Sequence, residues 1–234
     1  MREALASVTS RLLDAILPEE CVVCEQPLVE GEKFVCLHCQ ADMPLLNFGS
    51  FTDNAMHHTL ASTRPFERAA ALMAYRKGSP FTRLVHIAKY NDRPQLARHL
   101  GVRLGTSFYS RGLFDGVDAL IPIPLNRWKF IKRGYNQSLE IAKGVSRLTG
   151  IPIADVLGAR RHSTQTRKNA VNRRRNASGV YRVDKPHMLK DLKHVMLVDD
   201  VVTTGSTMLE CAGALRSANP SIQISALSVA LSQL

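Results

Sequence analysis

Asp199 and Asp200 follow directly on an apolar run, Val195 to Val198, and lead into hydroxyl residues around one glycine: Thr203, Thr204, Gly205, Ser206 and Thr207. Two vicinal carboxylates can accept hydrogen bonds from two vicinal hydroxyls, such as the 2′ and 3′ groups of a ribose. The hydroxyl run can aim side-chain and backbone donors at a single phosphate, and Gly205 lets the backbone come close. Met208 to Ala218 reads as a helix. The phosphate would then lie at a helix N-terminus, where unpaired N–H groups and the helix dipole favour an anion. A plain strand-to-helix turn would need one Asp or Thr as a cap, not two acids and four hydroxyls. The chemistry expected is therefore that of a sugar-phosphate cradle.

A second constellation lies near the N-terminus. Cys21-x-x-Cys24 and Cys36-x-x-Cys39 are two knuckles separated by eleven residues. Each can place two thiolates on one metal ion, and two such turns close a tetrahedron. With no secretory signal in view, metal is favoured over disulfides. The expected site is a structural zinc ribbon: four protein ligands leave no position for a catalytic water. Cys211, the fifth cysteine, falls on the helix after the hydroxyl loop and reads as a small buried apolar residue.

The elements that must position these residues follow from periodicity. Val195 to Val198 reads as a parallel strand buried on both faces, with the acids at its exit, where open α/β sheets bind ligands. Glu3 to Leu17 has helical apolar spacing up to Pro18. Residues 18–47 form the ribbon, 48–65 read as a polar linker, and 66–234 form the main α/β domain. Within it, Phe66 to Tyr75 reads as the first strand, and Thr82 to Tyr90 begins a helix that resumes after a break and runs to about Phe108. Val117 to Pro124 is a second strand. A cationic loop follows, with Arg127, Lys129, Lys132 and Arg133 available to a second anion, and then a helix from Ser138 to Thr149.

Composition bounds the function classes. The chain has 234 residues, 45% hydrophobic and 22% charged, as in ordinary globular proteins. No apolar run approaches the ~18–20 residues of a membrane span, and Arg2, Glu3 and Asp14 interrupt any signal-peptide core, so a cytoplasmic location is expected. The net charge of +11 is concentrated: residues 157–176 carry seven Arg and Lys and no acid, and without those seven the charge is +4. Such a stretch suits polyphosphate or a nucleic-acid backbone, against the plainer reading of a solvated face.

Val195 to Thr207 resembles the phosphoribosyl-pyrophosphate (PRPP) motif of type I phosphoribosyltransferases, an apolar strand, two acids, two apolar residues and T-T-G-x-T. Pro122-x-Pro124-Leu125 followed by Arg133-Gly134-Tyr135-Asn136-Gln137 resembles the signature of the ComF family, whose members often pair a four-cysteine ribbon with such a domain. Lys89-Tyr90 and Gln165-Thr166…Arg173…Asn176-x-x-Gly179-x-Tyr181 are similar to further stretches of that family. His162 and Arg167-Lys168 depart from it.

The resemblance implies a type I phosphoribosyltransferase fold, a Rossmann-like parallel sheet flanked by helices. It gives Asp199 and Asp200 the ribose hydroxyls, Thr203, Thr204, Gly205, Ser206 and Thr207 the 5′-phosphate, and Lys129 and Arg133 the pyrophosphate, with Mg²⁺ accompanying PRPP. The Arg-rich stretch would form a hood over the site. It further implies a part in natural competence or use of external DNA. No base-recognition element is recognisable, so a rival expectation stands beside phosphoribosyl transfer: a non-catalytic, PRPP- or nucleotide-responsive accessory protein that binds single-stranded DNA or a DNA-uptake helicase. A homo-oligomer is left open.

Overall fold

A computed structural model describes residues 19–90, 93–159 and 180–232. The expected N-terminal helix and the Arg-rich stretch from Arg160 to Asn176 lie outside these residues. Four parallel strands make the central sheet: β1 (Ala69–Tyr75), β2 (Ala119–Pro122), β5 (His194–Val202) and β6 (Gln223–Ser232), in the order β1-β6-β5-β2. Two short strands, β3 (Leu157–Ala159) and β4 (Tyr181–Val183), pair antiparallel as a separate hairpin. The helices are α1 (Leu37–Ala41), α2 (Ala55–Thr59), α3 (Thr82–Tyr90), α4 (Pro94–Phe108), α5 (Arg127–Arg133), α6 (Gln137–Thr149) and α7 (Ser206–Ala218).

The central strands are buried on both faces, which is why they read as continuous apolar runs rather than alternating ones. Polar exceptions inside are paired: Ser225 Oγ lies 2.8 Å from Nε2 of His194, and Ser228 donates to the Ala230 carbonyl at 3.0 Å. Strand order sets the site. From β2 the chain passes through α6 to Ile153, which bridges β2 on its outer side; from β5 it passes through α7 back to β6. The two connections diverge between β2 and β5, and an open sheet binds ligands at such a switch point.

The ribbon is joined to this sheet. Leu46 N–H donates to the Leu72 carbonyl at 2.9 Å and Ala74 N–H to the Pro44 carbonyl at 2.9 Å, so residues 44–46 extend the sheet beyond β1. Arg103 of α4 donates to Gln40 Oε1 at 2.6 Å, fastening the α1 end to α4. Ribbon residues Val22, Val23 and Val35 share one continuous apolar core with the strands.

Two expectations need correction. Residues 48–65, read as a polar linker, contain α2, and Met56 and Leu60 are buried in the core. Asn54 caps that helix by accepting from His57 N–H at 3.0 Å and donates to the Ala69 carbonyl at 2.8 Å, which ties it to β1. The cationic loop after β2 is helix α5: Asn126 Oδ1 accepts from Lys129 N–H at 2.9 Å to start it, and Gly134, at φ +75°, ends it. Among the described residues no helix is long and apolar enough to cross a membrane.

Candidate functional site

The paired acids lie where β5 outruns its neighbour. Pairing with β2 stops at Val198, while pairing with β6 continues to Val202. Asp199 and Asp200 are thus still in the ladder on one side and free of it on the other, a short extension of the strand beyond the expected exit. The first two residues of α6 meet them. Ser138 donates its hydroxyl to Asp199 Oδ1 at 2.9 Å, and Gln137 donates from Nε2 to Asp200 Oδ2 at 2.8 Å. Lys89, near the end of α3, places Nζ 3.2 Å from Asp200 Oδ1.

The two carboxyls therefore sit in different electrostatic settings. Asp200 is only 6% exposed and is matched by a cation and a carboxamide N–H. Burial, and then repulsion from Asp200, push the Asp199 carboxyl up to about 7, against the lowering effect of the Asp200 N–H, the Ser138 hydroxyl and Lys89. Near neutral pH Asp199 is poised to gain or lose a proton.

What holds α6 in place is its contact with α4. A Cβ on Gly101 would stand 2.0 Å from the Ile141 carbonyl oxygen, and one on Gly144 would stand 2.1 Å from that of Arg98, so the helices cross backbone to backbone. Glu140 ties the seam further by accepting from Arg98 at 2.6 Å and from Lys143 at 2.6 Å. The preceding turn is built by Asn136, which accepts from Ser138 N–H at 3.0 Å and donates to the Ile123 carbonyl at 3.1 Å, while the Tyr135 hydroxyl donates to the Ala88 carbonyl of α3. Arg133-Gly134-Tyr135-Asn136-Gln137 is thus a device that fixes α3 and α6 around the acids.

The hydroxyl loop lies beside Asp199. Gly205, at φ +75°, is the N-cap of α7, and no side chain caps the helix. The plain capping reading of this segment therefore fails: the first N–H groups of α7 face a shallow cup lined by Asp199, Thr203, Ser206 and Thr207. Thr204 donates to Ser206 Oγ at 3.2 Å. Behind the loop, a Cβ on Gly205 would meet Leu60 Cδ2 at 2.8 Å and the Thr59 carbonyl at 3.0 Å. The segment read as a linker is the loop's backing. Tyr181 of β4 hydrogen-bonds Thr207 from the hairpin side, and burial pushes its hydroxyl up to about 12.

Of the two residues expected at a pyrophosphate, Arg133 is joined to the acid cluster indirectly. Its guanidinium lies 5.1 Å from the Tyr90 ring centroid and hydrogen-bonds the Tyr90 hydroxyl, next to Lys89. Lys129 is an exposed residue of α5, with no contact to the acids. Lys89, Gln137 and Ser138 carry no role in the sequence reading, although Lys89 and Gln137 fall in its family motifs. Cys211 is fully buried, as expected.

The four ribbon cysteines converge, with all Sγ atoms within 4.8 Å of one another. Cys24 and Cys36 place their sulfurs 3.8 Å apart, far beyond a disulfide bond and equal to the edge, about 3.8 Å, of a tetrahedron with ~2.3 Å Zn–S spokes. Burial works against a thiolate at Cys21, but N–H groups of Cys24, Cys36 and Val23 outweigh it and bring that thiol down to about 6. Burial, then the neighbouring cysteines, push Cys39 far up. Four crowded sulfurs of unequal acidity are a donor set that a metal such as zinc could draw together.

Comparison with known proteins agrees with this geometry. The family described as phosphoribosyl transferase domain matches residues 136–233, from the turn before α6 through β6. The chain is 28% identical to the DNA utilization protein YhgH of Escherichia coli O157:H7 over 222 residues, covering 89% of this chain and 96% of that protein. It is 26% identical to the protein of the same name from Salmonella typhimurium, with the same coverage. It is 35% identical to Competence protein F of Haemophilus influenzae over 101 residues, 42% of this chain and 44% of that one. A type I phosphoribosyltransferase domain preceded by a four-cysteine cluster, with similarity over most of the chain to the YhgH proteins and over part of it to Competence protein F, supports a place in the ComF family.

Proposed function

We propose that this protein binds PRPP with Mg²⁺, transfers its phosphoribosyl group to an acceptor nitrogen, and serves natural competence or DNA utilisation in the cytoplasm. The carrying observation is the pairing of Asp199 and Asp200, held by Ser138 and Gln137, beside a helix start with no side-chain cap. On this reading the two carboxylates take the ribose hydroxyls, and Thr203, Thr204, Gly205, Ser206 and Thr207 take the 5′-phosphate. The C1–O bond to pyrophosphate breaks with the electron pair leaving on oxygen. The acceptor nitrogen forms the new bond and loses its proton to water. Negative potential from the acids stabilises the oxocarbenium-like carbon in between. Arg133 and Lys129 neutralise the departing charge. Mg²⁺, a hard cation suited to oxygen donors such as the Asp199 and Asp200 carboxylates, would supply charge neutralisation for the pyrophosphate. The ribbon cysteines hold one structural Zn²⁺.

The test is calorimetric PRPP binding with Mg²⁺, together with pyrophosphate release over a panel of bases. Asp199→Asn and Asp200→Asn should each weaken PRPP at least tenfold; unchanged affinity would sink the ribose assignment.

A second reading, an accessory protein for single-stranded DNA or a helicase partner, is favoured by α5. That helix buries none of its residues, presents Trp128 at 82% exposure together with Phe130 and Ile131, and carries Arg127, Lys129, Lys132 and Arg133. Stacking aromatics among cations suit a single strand. Silence of the base panel with a steep salt dependence of oligonucleotide affinity would select this reading.

A further inference from the structure

The two acids face different neighbours, and this gives the cradle a direction. Asp199 lines the phosphate cup, while Asp200 meets Gln137 of α6 and Lys89 of α3. A ribose with its 5′-phosphate in the cup and its diol on the acids runs from Asp199 toward Asp200. Its anomeric carbon, next to the 2′-hydroxyl, then lies at the Lys89 end. Among the described residues lining the cup there is no cation. Positive charge for the rest of a polyanionic ligand must come from the other end.

Lys89 is built into its position. The residues on both sides of it are held: the Ala88 carbonyl accepts from the Tyr135 hydroxyl, and the Tyr90 ring centroid lies 5.3 Å from Lys132 Nζ and 5.1 Å from the Arg133 guanidinium. A lysine in the last turn of a helix is ordinary, because it complements the helix dipole. A fully exposed one would do that equally well, yet the Lys89 side chain is only 21% exposed and directs its ammonium to Asp200. An ammonium has three N–H donors, and Asp200 takes one. Among the described residues Lys89 Nζ has no other ion-pair or hydrogen-bond partner. Asp200 is the more deeply buried member of the pair and is bonded by Gln137 as well, so the cation is the member with donors free for a ligand.

We infer that Lys89 is a substrate-binding residue whose free N–H groups hold the phosphate attached to the anomeric carbon of PRPP. The inference rests on the reading of the acids as ribose ligands. As the C1–O bond breaks, its electron pair goes to that phosphate oxygen, and the ammonium meets the added charge without giving up a proton. Lys89 thus joins the ribose end of the site to the pyrophosphate end, with Arg133 and Lys132 against the neighbouring Tyr90 ring.

The test uses full-length, zinc-loaded protein with Mg²⁺ and calorimetric titration with PRPP and with ribose 5-phosphate, which lacks the pyrophosphate. Lys89→Gln keeps an N–H donor for Asp200 and removes the charge. It should weaken PRPP at least tenfold and leave ribose 5-phosphate within about threefold. Lys89→Arg, which restores the charge, should bind PRPP more tightly than Lys89→Gln does. A lysine that only holds Asp200 in place would make both ligands weaken together in Lys89→Gln, and that outcome overturns the inference while leaving the ribose cradle intact. A parent protein that binds ribose 5-phosphate but not PRPP overturns it as well. A parent that binds neither removes the cradle reading itself, and the inference falls with it.

Discussion

Lys89 Nζ stands 3.2 Å from Asp200 Oδ1, in a pair whose side chains are 21% and 9% exposed, and this contact joins the end of α3 to the end of β5. Removing the cation leaves a nearly buried carboxylate with only Gln137 as donor. Breaking a fully buried pair costs about 3–5 kcal/mol, and the partial exposure of Lys89 reduces this. Lys89→Met should lower unfolding free energy by about 1–2 kcal/mol. Lys89→Met/Asp200→Asn should recover most of that loss. Urea unfolding of the four proteins measures the coupling; strictly additive losses would mean that the contact contributes nothing.

Asp199 gives a pH signature. Its carboxyl, ordinarily near 3.9, is raised to about 7 in the fold by burial and by Asp200. Between those values the native state holds a proton that the unfolded chain has lost. The stability contributed by the protonated form is complete below about 4, declines as pH rises and is gone above about 7. Asp199→Asn should flatten that slope and make the protein more stable at pH 8 by about 1–2 kcal/mol. If the carboxylate form accepts the ribose hydroxyls, PRPP affinity runs the other way and climbs toward pH 7. Denaturation and calorimetry from pH 5 to 8 read both trends, and parallel slopes would contradict the assignment.

The α4–α6 crossing predicts opposite outcomes for two helical glycines. A Cβ on Gly144 would lie 2.1 Å from the Arg98 carbonyl oxygen and 2.7 Å from Val102 N, so Gly144→Ala must part the helices. It should cost about 1–3 kcal/mol and, by shifting Gln137 and Ser138, weaken PRPP binding as well. Gly213 on α7 has nothing within 4 Å of a Cβ, and Gly213→Ala should add about 0.5–1 kcal/mol. Thermal melts of both variants decide the matter; equal effects would mean that the crossing is looser than drawn.

The ribbon should carry one zinc per chain, measurable by plasma mass spectrometry. Removal by a strong chelator should expose four reactive thiols while the buried Cys211 stays protected. Because residues 44–46 pair with β1 and Arg103 holds Gln40, loss of the metal should also lower the melting temperature of the whole protein. A melt unaffected by chelation would show that the ribbon is energetically separate.

Much of this site was legible because it is local. Asp199 through Thr207 occupy one strand and one turn, and the cysteine spacing alone defines two knuckles. Contacts that cross the chain were not: Gln137 and Asp200 are 63 residues apart, and no periodicity announces that they touch. Helix α5 was hidden for another reason. It buries none of its residues, so it lacks the apolar spacing by which a helix is read, and Asn126 and Gly134 were its only local marks. Residues 48–65 look polar because their core contribution rests on single side chains such as Met56 and Leu60, not on a stripe.

Gly205 combines these two classes, a readable loop on an unreadable support. Its φ of +75° disfavours any side chain, and a Cβ there would press on Leu60 Cδ2 at 2.8 Å and the Thr59 carbonyl at 3.0 Å. Gly205→Ala should therefore cost about 1–3 kcal/mol and tilt the first N–H groups of α7 away from the cup. Leu60→Ala relieves the side-chain contact but not the backbone one. As a single change it opens a cavity costing about 2–5 kcal/mol, and in the double variant part of the Gly205→Ala penalty should vanish. Affinity for ribose 5-phosphate separates the two effects. Leu60→Ala should leave it within about threefold while stability falls, whereas Gly205→Ala should lower it at least tenfold, since the loss there lies in the aim of the donors. Equal affinity in Gly205→Ala and the parent would remove the phosphate from this loop.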